Sequence, residues 1–174
     1  MKRLFFLILA TVSFNLSAQT DKATTKKIVA AKDFTFVATT ALPMNSVEMN
    51  NIINRMPGAV GGGNINLMSN DYDLRITPDS VIAYLPYYGR AFNSAPMNPT
   101  EGGYKFTSTD FSFNNKEKKK GGWEITLNAK DTKDGVRMTL VIGTNGYATL
   151  IVNSNNKQSI TYNGYLTEPK KSGA

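Results

Sequence analysis

Tyr84, Tyr87, Tyr88, Arg90 and Phe92 are the residues of this sequence whose types and spacing suit binding chemistry. They fall on and just after Leu85-Pro86-Tyr87-Tyr88-Gly89-Arg90-Ala91-Phe92. Four rings beside one guanidinium can stack and make cation–π contacts, worth about 0.5–2 kcal/mol each depending on exposure. They break no bonds, so the chemistry they suggest is recognition. The competing reading of the same residues is a loop locked onto a sheet edge. Pro86 cannot donate to a strand ladder and so ends a strand, and Gly89 permits a tight backbone turn.

Residues suited to catalysis are scarce. The 174-residue chain has no histidine and no cysteine. That removes Ser-His-Asp and Cys-His nucleophiles, the usual zinc ligand sets and the commonest general base near neutral pH. Glu48, Glu101 and Glu124 could pair across a groove as glycosidase carboxylates do, but no spacing pairs them. Asp71 and Asp73 read as a solvated strand face with Asp79 nearby, without the repeated acidic run of a calcium loop. Gly58 and Gly61-Gly62-Gly63 lack the Gly-Lys-Ser/Thr that a phosphate loop needs. The expectations are no catalytic residue, no metal and no cofactor.

Charge points the same way. The net charge is +7, which mildly favours anionic partners through long-range attraction, although its first reading is a charge that keeps the protein soluble. Lys116-Glu117-Lys118-Lys119-Lys120 reads as a solvated hairpin tip before Gly121-Gly122 that discourages edge pairing. Without interleaved aromatic residues it is no nucleic-acid surface.

The elements that must position these residues begin with an export signal. Residues 1–18 carry Lys2 and Arg3, an apolar stretch from Leu4 to Val12, and the small-residue exit Leu16-Ser17-Ala18. The apolar stretch is too short to span a bilayer. Cleavage after Ala18 lowers the charge to +5. With no cysteine to carry a lipid or form a disulfide, the expected product is soluble, periplasmic or secreted, and not a lipoprotein. Residues 19–32 read as a leader or short helix, 33–168 as one antiparallel β domain and 169–174 as a tail.

Strand alternation is clear at Phe34-Thr35-Phe36, at Tyr72 to Ile76, from Trp123 to Ala129 and from Val136 to Ile142. In the Tyr72 to Ile76 segment the apolar residues point in and Asp73 and Arg75 point out. Val81 to Leu85 is apolar on both faces, as a central strand would be. Thr77-Pro78-Asp79-Ser80, Thr144-Asn145-Gly146 and Ser154-Asn155-Asn156-Lys157 are turns, and Asn145-Gly146 is a strong hairpin signal. The parity change from Tyr104 and Phe106 to Phe111 and Phe113 places a turn or bulge near Ser108-Thr109-Asp110. Short connections imply that consecutive strands are antiparallel neighbours. The fold class is mainly β: an antiparallel meander of about eight strands forming a sandwich or a lipocalin-like open barrel, with a short N-terminal helix. Residues 43–63 break the pattern, with a short helix expected after Ser46.

Leu85 to Phe92 also resembles a signature of the bacterial domain-of-unknown-function family 4251. Tyr72-Asp73-Leu74-Arg75-Ile76 and Asp79-Ser80-Val81 are similar to what precedes that signature. Gly146-Tyr147-Ala148 and Ile160-Thr161-Tyr162-Asn163-Gly164 are similar to what ends it. The resemblance implies a small exported envelope protein of a Gram-negative bacterium and carries no activity, substrate or catalytic residue. Residues 43–63 are long against the family pattern. Asp79-Ser80-Val81 is also similar to an Asp-Ser/Thr-aliphatic O-glycosylation site used by some Gram-negative bacteria.

The expected function is a non-enzymatic binding module of the periplasm or envelope. Its expected ligand is a small apolar or anionic envelope molecule, held in an apolar cavity if the barrel closes. No nucleic acid and no membrane span are expected, and oligomeric state is left open. A structural or interaction protein is the alternative, and a carboxylate-based hydrolase ranks last.

Overall fold

Backbone chemistry starts the fold at Asp21. Its carboxylate accepts hydrogen bonds from the N–H groups of Ala23 (2.7 Å) and Thr24 (2.9 Å), satisfying donors that a helix start leaves open. Helix α1 (Lys22–Ala31) follows and ends where Lys32 turns left-handed at φ 54°. Thr25, Ile28 and Val29 are its buried residues. Of the two readings of residues 19–32, the helix is the one that forms.

A computed structural model describes residues 20–44, 55, 63–68, 71–92 and 102–169. The signal segment 1–18, the expected helix after Ser46, Glu48, Gly58, Gly61, Gly62 and Glu101 lie outside the described residues.

After α1 come β1 (Phe34–Pro43), β2 (Ile65–Asn66), β3 (Asp73–Ile76), β4 (Val81–Leu85) and β5 (Tyr104–Ser108). Then follow β6 (Phe111–Glu117), β7 (Trp123–Ala129), β8 (Val136–Ile142), β9 (Tyr147–Asn153) and β10 (Ile160–Thr167). The strands form one antiparallel sheet in the order β5-β4-β3-β1-β10-β9-β8-β7-β6, with β2 beside the far half of β1. It wraps into a nearly closed barrel. Ten strands form rather than about eight, and β2, at two residues, is too short to show alternation.

The sheet joins its first strand to its last: Thr35 pairs with Thr167 and Pro43 with Ile160. β1 changes register between Ala38 and Thr40, a bulge that bends the strand. At Gly164, opposite Ala38, a Cβ would run into the Val37 carbonyl oxygen, so only glycine lets the two backbones approach this closely.

One expectation about neighbours is corrected. β5 and β6 are linked by Thr109 and Asp110 alone, yet they lie at opposite ends of the sheet. The connection is a corner, held from outside: Asp131 accepts from the N–H groups of Thr109 (3.0 Å) and Asp110 (3.2 Å). The Lys130 N–H donates to the Asp110 carbonyl (2.9 Å). The parity change at this point therefore turns the chain away instead of folding it into a hairpin. A surface hollow of about 270 Å³ separates β5 from residues 131–134.

Inward positions hold the core. Phe34, Phe36, Leu74, Ile125, Leu140 and Tyr162 are essentially inaccessible. Among the described residues the interior is thus packed with side chains, as protein cores generally are. Three hollows lined by described residues open at the surface.

Two faces differ from expectation. Asp73 is buried rather than solvated, because Arg75 lies over it with Nε 3.0 Å from its carboxylate. β4 is fully buried on one face only: Val81, Ala83 and Leu85 are buried while Ile82 is half-buried and Tyr84 exposed, and β4 stands second from the sheet's end.

Candidate functional site

The segment after β4 is a docked loop. Tyr162, wholly buried on β10, donates its hydroxyl proton to the Pro86 carbonyl at 2.5 Å. The Tyr87 hydroxyl lies 2.8 Å from the Arg90 carbonyl and 3.2 Å from the Gln158 carbonyl. Gln158 N–H donates to Arg90 O (3.0 Å), Phe92 N–H donates to Asn156 O (2.8 Å), and Ala91 bridges to Lys157. Gly89 leaves room for this ring, because a Cβ would stand 2.6 Å from the Tyr87 oxygen and displace it. These contacts match the locked-loop reading of residues 86–92.

A second cation stands at this loop, Lys157, which the sequence reading did not include. Lys157 Nζ sits over the Tyr104 ring (4.7 Å to its centroid) and the Tyr87 ring (5.3 Å). It also donates to the carbonyls of Gly102 (2.8 Å) and Gly103 (3.2 Å). Burial lowers its pKa, and the Asp134 charge works in the opposite direction. The Arg90 carbonyl accepts from the Tyr87 hydroxyl and the Gln158 N–H, and Phe92 is 63% exposed.

Beside the locked loop the outer face of β3, β4 and β5 forms a hollow of about 240 Å³. Leu85, Pro86 and Gly103 contribute its floor, with Tyr72, Tyr84, Tyr87, Tyr88 and Lys105 around it. Strand register sets Tyr84 beside Lys105, whereas Tyr72, of the inward parity of Leu74, reaches Tyr84 from just before β3. Tyr84 stands opposite Asp73 on one side and Lys105 on the other, and Tyr72 precedes Asp73. The Tyr72 and Tyr84 rings are 5.4 Å apart and tilted by 39°. Lys105 Nζ lies 5.8 Å from the Tyr84 centroid. Among the described residues no hydrogen-bond partner engages the hydroxyls of Tyr72, Tyr84 and Tyr88, and no carboxylate pairs with Lys105.

The phenols nearest the loop resist ionisation. Burial pushes Tyr87 up to about 12, helped by the neighbouring Tyr104 and opposed by its contact with Gln158. Burial, then Tyr72, raises Tyr88. Both are therefore neutral hydrogen-bonding groups at ordinary pH.

Of the residues singled out in sequence, Tyr84, Tyr87 and Tyr88 come together at the hollow, whereas Arg90 and Phe92 are not among its described lining. Tyr72, Lys105 and Lys157 were missed. Tyr72 shares the inward parity of Leu74, so alternation does not announce its place beside Tyr84. Lys105 and Lys157 arrive through pairings that no local pattern announces. Elsewhere, Glu124 faces Lys118 (3.5 Å), and the Ser80 hydroxyl sits 2.9 Å from that of Thr77 within its turn.

Fold and site together define a small antiparallel β-barrel protein with a tyrosine-lined hollow on its outer wall. The chain belongs to the family described as Domain of unknown function (DUF4251), matched over residues 17–166. It is similar to the crystal structure of a DUF4251 family protein from Bacteroides eggerthii DSM 20697, with a TM-score of 0.55 and 16% identity. That likeness spans 84% of this chain and 87% of the other, and at this identity it is a likeness of fold. No curated protein matches the chain.

Proposed function

We propose that this protein is an exported, non-enzymatic binding module of the periplasm or envelope, and that it takes a small ligand at the hollow around Tyr72, Tyr84, Tyr88 and Lys105. The observation that carries this reading is a single hollow lined by Tyr72, Tyr84, Tyr88 and Lys105, whose three phenol hydroxyls have no hydrogen-bond partner among the described residues. Pockets of this make-up, apolar walls with a few polar groups, are the usual form of ligand sites. The reading places the ligand at this hollow, because among the described residues the inward positions are occupied by packed core side chains. Export is supported by residues 1–18 alone. Among the described residues no helix is long and apolar enough to cross a membrane.

The test is a set of NMR titrations of the 15N-labelled mature chain with trigalacturonate, maltotriose and laurate. Binding by any of them at the hollow moves the amides of Tyr72, Tyr84, Tyr88 and Lys105. If all three leave these amides in place at millimolar concentration, the binding reading fails. N-terminal sequencing of the protein recovered from its native host is expected to begin at Gln19, and a retained Met1 overturns export.

A further inference from the structure

We infer that the ligand of this hollow is an acidic sugar unit, of the uronic acid type, within an anionic polysaccharide. The inference rests on the binding-module reading above and names its ligand class.

Three features narrow the class. The first is charge: Lys105 is the one charged group among the described lining residues of the hollow, and it lacks a carboxylate partner among the described residues. A ligand carboxylate or sulfate would supply that partner, and the positive net charge of the chain attracts such ligands.

The second is the supply of hydroxyls. Tyr72, Tyr84 and Tyr88 offer three phenol groups with no protein partner among the described residues. An alkyl chain laid across them would strip their water and give nothing back, the costly way to bury a polar group. A sugar ring presents hydroxyls to these phenols and an apolar C–H face to the rings. The tilted pair of Tyr72 and Tyr84 makes a shallow V for that face.

The third is size and setting. About 240 Å³ is below the roughly 300–1,000 Å³ of pockets that enclose a drug-sized molecule. It suits one ring, and on an outer wall the rest of a polymer can run on through solvent. Tyr84 is 46% exposed, so its ring is free to meet a ligand.

The experiment compares affinities for the same three probes. Trigalacturonate has rings and carboxylates, maltotriose has rings without charge, and laurate has a carboxylate without a ring. Trigalacturonate is expected to bind with maltotriose at least tenfold weaker, roughly the effect of losing a charge-assisted hydrogen bond, and with laurate leaving the hollow unmoved. Lys105→Gln is expected to weaken trigalacturonate about three- to fivefold and to flatten its salt dependence. Tyr84→Ala is expected to weaken it about tenfold through loss of the stacking surface. Both side chains are exposed, and an unchanged urea midpoint verifies that each variant is folded. Laurate alone moving the hollow, or maltotriose binding as tightly as trigalacturonate, overturns the sugar-acid inference and leaves the binding module standing. Silence from all three probes overturns both.

Discussion

Tyr162 links the barrel core to the candidate site through one oxygen atom. Its ring is wholly buried, and its hydroxyl is the hydrogen-bond donor to Pro86 at the floor of the hollow. Tyr162→Phe removes the donor and leaves the carbonyl to find another. The expected cost is about 1–2 kcal/mol in urea unfolding, with shifted amides at Tyr87 and Tyr88; an unchanged midpoint would mean that the contact adds nothing net. The phenols also set the alkaline limit of the fold. Tyr87, Tyr88, Tyr104 and Tyr162 all have pKa values raised chiefly by burial. A raised value means that the native state holds its proton where the unfolded chain has lost it. Their contribution is present below pH 10 and fades as pH climbs toward 12, the value reached by Tyr87. Lys157 acts with the opposite sign, since its lowered pKa makes stability rise with pH just below its ordinary range. Urea midpoints are therefore expected to fall between pH 10 and 12, less steeply in Tyr87→Phe. A flat profile there would remove the phenols from the account.

At the scale of elements, the pairing of β1 with β10 depends on Gly164. Gly164→Ala drives a methyl group into the Val37 carbonyl, and the expected loss is about 3 kcal/mol by chemical denaturation, the upper end of overpacking costs. A loss below 0.5 kcal/mol would show that the bulge at Ala38 and Thr40 yields freely. Much of this architecture was legible in the sequence. Trp123 to Ala129 and Val136 to Ile142 alternate without a fault, and Asn145-Gly146 marks its hairpin, with Gly146 at φ 80°. These signals are local, so neighbouring residues carry them. The burial of Asp73 was not legible, because Arg75 covers it by a side-chain conformation and not by parity. The corner at Thr109 and Asp110 was legible as a break but not as a separation, because Asp131, which holds it, comes from the far end of β7. The site divides in the same way. Tyr84, Tyr87 and Tyr88 stand close in sequence and were found together, whereas Lys105 reaches Tyr84 only through the β4–β5 register.

On the whole molecule, a sheet that stops short of closure leaves β5 and β6 as its two ends. Ends of this kind invite pairing with other chains unless polar residues blunt them. β6 does so from within: Asn115 and Glu117 share the inward parity of Phe111 and Phe113, opposite buried Ile125 and Trp123, yet both are exposed. Lys116 and Lys118 continue the charge into the hairpin tip. The double variant Asn115→Val, Glu117→Val is expected to elute as dimers or larger species in size-exclusion chromatography while the parent chain does not. Identical elution of the two would show that these side chains are not what protects β6.

The join between β1 and β10 also orders events in time. The Thr167 hydroxyl reaches the Thr35 carbonyl across 132 positions of chain, so the strand synthesised first waits for the strand synthesised last. Contacts this distant in sequence slow folding, because a long loop must close before they are rewarded. The C-terminal meander of β6 to β10 can assemble from neighbours alone, but β1 has no complete pairing on its β10 side until Ile160–Thr167 has been made. A chain built this way stays open along β1 for as long as β10 is missing, so its first strand is the one most exposed to wrong partners while the chain is being made.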